Sequence, residues 1–130
     1  MGGRLLDTSV IVEVLRSNAA IVEFLGGIGN DIYIPAIVIG ELLYGANKSA
    51  ETEHNTEMVH KFTNKAKILA VDADVAEYYA QIKNDLLKTG IKIPENDLWI
   101  AAIAKKYGLA LVTFDNHFKH INNLETIGIE

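Results

Sequence analysis

Short apolar runs that give way at once to helix-forming segments recur along the chain, at 3–7, 31–35, 67–71 and 109–113, with a last run at 124–129. Strands separated by helices cannot pair as hairpins, so they pair in parallel, and a parallel sheet needs helices over both of its faces. This alternation predicts an α/β fold built on a mostly parallel sheet. In such sheets ligands sit outside the carboxyl ends of the strands. A length of 130 residues with 49% hydrophobic content is enough for one compact domain, 1–130, with a core that needs no covalent staple.

The helices follow from periodicity and end signals. After the first strand, Thr8 or Ser9 is expected to cap a helix carrying Val10, Ile11, Val14 and Leu15 on its apolar face. A second helix is expected over 18–27, stopped by Gly26 and Gly27, and a third over 36–48. The segment 49–66 is polar apart from a thin stripe of Met58, Val59 and Phe62, which predicts a weakly packed helix and a candidate surface for a partner or second subunit. Asp72 or Asp74 caps a long helix with Val75, Tyr79, Ile82 and Leu86 at helical spacing, ended by Gly90. Pro94 opens a helix over 95–107, closed by Gly108, and a short helix is expected near 115–121.

Seventeen acids against twelve bases give a net charge of −5, which at first argues against a nucleic-acid partner. Four of those acids stand apart: Asp7, Glu41, Asp97 and Asp115 each lie where an apolar segment ends or a helix begins. Without them the balance is thirteen against twelve, and bound cations would offset the charge of the four themselves. A polyanionic substrate is therefore compatible with the composition, whereas a strongly basic binding face is not. The absence of cysteine excludes disulfides, thiolate zinc sites and a cysteine nucleophile, and agrees with a reducing, cytoplasmic location. Asp7 interrupts the apolar start of the chain, and Pro35 and Glu41 break its most apolar stretch well short of a membrane span.

Each of the four carboxylates has a structural explanation when taken singly. Asp7 could serve only as a helix cap, Asp97 could answer the dipole of its helix, and Asp115 before Asn116 could form a turn. Glu41 is harder to explain this way. It shares one helical face with Gly45 and Lys48, and a glycine inside a helix costs about 1 kcal/mol relative to alanine, so either another group approaches the backbone there or two helices pack closely. Carboxylates at the same edge of one sheet repel each other, and such clusters persist when cations bridge them. Oxygen donors favour Mg²⁺ or Mn²⁺ over zinc. His117 and His120, three apart, read as surface or packing residues, Trp99 reads as core, and His54 and His60 receive no role.

The segments DTSVIV, GELLYGA, PENDLWIAAIA and VTFDNHF resemble, in order and over nearly the whole chain, the four acidic motifs of PIN-domain ribonucleases, specifically the VapC-type toxins of toxin–antitoxin pairs. The resemblance implies a three-layer α/β/α sandwich and an Mg²⁺- or Mn²⁺-dependent endoribonuclease site. In it Asp7, Glu41, Asp97 and Asp115 match the acidic residues and Thr113 the polar residue that supports them. It also implies a homodimer and a cognate antitoxin whose tail blocks the site. Ser9 joins Thr113 as a hydrogen-bonding support, and Arg16 and Lys48 are the bases placed to meet RNA phosphates. Some relatives carry a further acid near the third motif, where this chain has Glu95 and Asn96. The rival reading is a catalytically inactive module of the same fold that binds protein partners. A phosphoacceptor domain would place a lysine at its last strand, which LETIGIE lacks, and an aspartyl phosphatase would have a second aspartate two residues after Asp7, where Ser9 stands.

Overall fold

The structure is a computed structural model that describes residues 3–28 and 31–128. The chain runs β1 (Arg4–Leu6), α1 (Thr8–Leu15), α2 (Ala19–Ile28), β2 (Ile32–Pro35), α3 (Ala36–Asn47) and α4 (Thr52–Thr63). It continues with β3 (Lys67–Leu69), α5 (Ala73–Thr89), α6 (Glu95–Tyr107), β4 (Ala110–Thr113), a 3₁₀ turn (Asn116–His120) and β5 (Thr126–Gly128). The five strands form one sheet in the order β3-β2-β1-β4-β5, and every pairing is parallel. Helices cover both faces, giving the three-layer α/β/α sandwich. Leu5, Leu6, Leu111 and Val112 in its two central strands are wholly buried, as continuous apolar runs in a doubly covered sheet require. The last strand was expected to reach residue 129, which lies outside the described residues.

The strand order reverses direction between β1 and β4, which makes the crevice at their carboxyl ends the switch point of the sheet. The Asp7 N–H donates to the Val112 carbonyl at 3.3 Å and holds the two strand ends together. Helix α6 approaches the same edge. It is buried almost all round, through Leu98 and the run from Ile100 to Ala104, so its first turn is held rigidly. Trp99 behaves as packing: its ring stacks on Tyr79 of α5 with centroids 3.8 Å apart.

Three local expectations need correction. Helix α1 is capped by Asp7, not by Thr8 or Ser9: Asp7 has extended backbone and its side chain accepts from the Val10 N–H, so Thr8 is already helical. Helix α2 runs through Gly26 and Gly27 to Ile28, because burial of Ile21 and Leu25 outweighs the helix penalty of two glycines at its end. Helix α4 is packed more firmly than its polar composition suggests. Val59 and Thr63 are buried and Met58 and Phe62 half-buried, so the stripe packs on the chain's own core, while Met58 and Val59 also line a groove between α4 and α3. At Gly45 a methyl group would meet nothing within 4 Å, so close helix packing does not explain that glycine.

Candidate active site

Asp7 follows β1 directly and is 2% exposed. Its Oδ1 accepts from Ser9 Oγ at 2.7 Å and from the Val10 N–H at 3.3 Å, while its Oδ2 accepts from the Thr113 hydroxyl. The Thr113 oxygen accepts in turn from the Asp115 N–H at 2.9 Å, so one buried hydroxyl links the ends of β1 and β4. Burial pushes the Asp7 carboxyl above the usual aspartate range, the Thr113, Ser9 and Val10 donors pull it back, and the charge of Asp115 pushes it up again.

Asp97 is in the first turn of α6, where its N–H donates to the Pro94 carbonyl at 3.0 Å. Its carboxyl is also raised by burial, offset by His117 and reinforced by the charges of Asp115 and Asp7. Glu41, on the second turn of α3, accepts a 2.7 Å hydrogen bond from Thr8 Oγ1, which ties α3 to the start of α1.

Asp7, Glu41, Asp97 and Asp115 all line one cavity of about 660 Å³, together with Thr8, Ser9 and the 94–96 segment. No lysine or arginine is among its lining residues; the charges of Asp7, Asp97 and Asp115 act on one another, and His117 offsets that of Asp97. Glu95 at the rim is held by Lys83 at 3.2 Å. Arg16 lies outside this cavity, in an adjoining apolar groove, and pairs with Glu13 at 3.7 Å. Lys48 caps the end of α3 with its ammonium over the Tyr44 ring, away from the acidic cavity.

His117 is the residue that sequence reasoning passed over. Its Nε2 is shielded from solvent and lies 2.8 Å from Asp97 Oδ2, at ion-pair distance. Asp97, Asp115 and His117 each offer a donor atom, all within 4.8 Å of one another. His120 is elsewhere, beside Ile82, Leu86 and Lys105, so the two histidines do not act as a pair. The sequence shows only that His117 stands two residues after Asp115; the turn that brings its ring towards α6 is a feature of the fold.

The sequence profile described as the PIN domain matches residues 4–124. The chain belongs to the PIN domain family. Among PIN relatives it is similar to Ribonuclease VapC2 of Haemophilus influenzae, with 34% identity over 110 residues that cover 84% of this chain and 83% of that protein. It is similar also to the tRNA(fMet)-specific endonuclease VapC of Shigella flexneri, with 28% identity and coverage of 94% of each chain. The VapC chain fold is reproduced closely: the crystal structure of VapBC2 from Rickettsia felis, bound to a DNA fragment from its promoter, superposes with a TM-score of 0.92 at 30% identity and covers 98% of each chain. Carboxylate oxygens from Asp97 and Asp115, with the His117 ring nitrogen beside them, form a donor set chemically suited to a divalent cation.

Proposed function

We propose that this chain is a metal-dependent endoribonuclease and the toxin of a toxin–antitoxin pair. The observation that carries the reading is the convergence of Asp7, Glu41, Asp97 and Asp115 on one cavity that no basic side chain lines. Buried carboxylates with raised pKa values are destabilising unless a cation meets them. Asp7, Asp97 and Asp115 would hold Mg²⁺ or Mn²⁺, and Glu41, fixed by Thr8, would orient the attacking water or add a donor. The chemistry such an ion supplies is acidification of water and neutralisation of charge on a phosphodiester as it is displaced. Thr113 and Ser9 orient the Asp7 carboxylate from both of its oxygens, which spares the site reorganisation during the reaction. Arg16, in the adjoining groove, attracts phosphates from outside the cavity, whereas Lys48 stands away from that approach. A non-catalytic module would gain nothing from leaving these carboxylates uncompensated.

The groove beside the site suits an antitoxin. It is about 360 Å³, is lined by apolar Val12, Leu15, Leu42 and Met58 as well as Gly45, and shares Thr8 and Glu41 with the acidic cavity. A peptide laid there would reach the catalytic carboxylates, and Gly45 would let it approach α3. The chain works as a homodimer in the cytoplasm, where cellular RNA is its substrate. Among the described residues no helix is long and apolar enough to cross a membrane.

The test is cleavage of RNA, beginning with the initiator tRNA named for the Shigella relative, in Mg²⁺, in Mn²⁺ and in chelator. Cleavage is expected only with a divalent ion and is expected to vanish in Asp7→Asn and Asp97→Asn variants that remain folded. Undiminished cleavage in chelator or in both variants would overturn the reading.

A further inference from the structure

The 3₁₀ turn after β4 is fixed at both ends. Phe118 is wholly buried and Ile121 is 5% exposed, while the Asp115 N–H is tied to Thr113 Oγ1. Between these anchors the His117 ring leans on the Phe118 ring, with centroids 4.7 Å apart, and faces Asp97. The ring is therefore preorganised towards the acidic cavity and does not sample the surface freely. The spacing of the group matches ion coordination. Bonds of about 2.1 Å at right angles put two donors about 3 Å apart, and opposed donors about 4.2 Å apart. His117 Nε2 and Asp97 Oδ2 are 2.8 Å apart, and the three donors of Asp97, Asp115 and His117 fall within 4.8 Å. Closing them around one ion needs a shift of at most about half an ångström.

We infer that His117 supplies a nitrogen donor to the divalent-ion site and biases it towards Mn²⁺ and later transition ions over Mg²⁺. The inference rests on the metal-dependent reading above and adds a ligand that the four carboxylates do not include. Mg²⁺ takes oxygen donors and holds its waters, so an imidazole adds little to its binding, whereas transition ions gain from a ring nitrogen. The His117 ring nitrogen pairs with one Asp97 oxygen at 2.8 Å, and the donors of Asp97, Asp115 and His117 stand close enough for one ion to replace that contact.

The test uses the full chain and does not depend on RNA cleavage. Mn²⁺ bound to the protein is examined by pulsed electron paramagnetic resonance, with unlabelled and with ¹⁵N-histidine-labelled chain, alongside calorimetric titrations of Mn²⁺ and Mg²⁺ into wild type and His117→Gln. Expected is a directly coordinated histidine nitrogen that changes isotope pattern on labelling and disappears in His117→Gln. That variant is also expected to lose about tenfold or more in Mn²⁺ affinity and less than about threefold in Mg²⁺ affinity. The labelled wild-type spectrum remains decisive if the variant misfolds. Stoichiometric Mn²⁺ binding without histidine coupling, or equal losses for the two ions, would overturn the inference and leave the nuclease reading standing. Failure of both ions to bind wild type would overturn both.

Discussion

Replacing Thr113 by valine removes one buried hydroxyl without changing the shape of the side chain, and the structure assigns that hydroxyl two partners. It donates to Asp7 Oδ2 and accepts from the Asp115 N–H. A hydrogen bond to an ionised group is worth about 1.5–3 kcal/mol, and the Asp115 N–H at the pocket edge can recover a water partner, so the loss at neutral pH comes to about 2–3 kcal/mol. Valine suits a strand at least as well as threonine, so propensity does not add to this. For 130 residues the unfolding entropy is about 0.27 kcal/mol per kelvin, and the melting temperature should fall by about 7–11 °C. The assay is thermal unfolding in chelator, run as a double-mutant cycle with Asp7→Asn. The asparagine can keep its oxygen towards Ser9 and Val10 and turn its amide towards Thr113, so Asp7→Asn alone should not lower the metal-free melting temperature. With the charge gone, Thr113→Val should cost at least about 1 kcal/mol less than it does beside Asp7. A fall of less than about 2 °C, or two substitutions whose effects simply add, would refute the claim that Thr113 stabilises the buried carboxylate.

Other consequences can be measured on the same protein. Asp7 and Asp97 have folded pKa values raised by burial, so their contribution to stability is full below the unfolded value and is lost as pH rises through the folded one. Metal-free wild type should therefore lose stability relative to Asp7→Asn as pH rises above about 4, the ordinary aspartate value, and a difference that does not change with pH would count against the shift at Asp7. Mn²⁺ or Mg²⁺ at about a hundred times its dissociation constant should add about 2.7 kcal/mol to wild type, some 10 °C, and much less to Asp7→Asn, as read by melting with and without chelator. Phe118→Ala should destabilise the fold by about 3–5 kcal/mol and weaken ion binding, because it releases the turn that carries Asp115 and His117. Wild-type ion affinity in a variant of that lowered stability would show that the turn does not position the site.

The parts of the molecule that could be read from sequence are those governed by local chemistry. Continuous apolar runs followed by capping residues place β1, β4 and the switch point between them, and with them Asp7, Thr113 and Asp115. The first cap was misplaced because Asp7, Thr8 and Ser9 are all residues that cap helices, and only the strand end, tied at Asp7 N–H to Val112, decides which one has extended backbone. Gly26 and Gly27 did not stop α2, and the polar α4 packed, for one shared reason: a few buried side chains, Ile21 and Leu25 in one and Val59 in the other, outweigh the local signal.

His117 marks the other limit. Its approach to Asp97 spans twenty residues of sequence and depends on how a short 3₁₀ turn leaves β4, a direction set by the burial of Phe118 and by the hydroxyl of Thr113. No periodicity encodes such a direction, because 3₁₀ turns carry no apolar face long enough to be read. The acidic set is visible in sequence because each member sits beside a strong secondary-structure boundary. A histidine that completes it becomes visible only when the boundary's far side has folded. On the metal-dependent reading the carboxylates would hold the cation, and the residue on the less regular element would decide which cation is preferred.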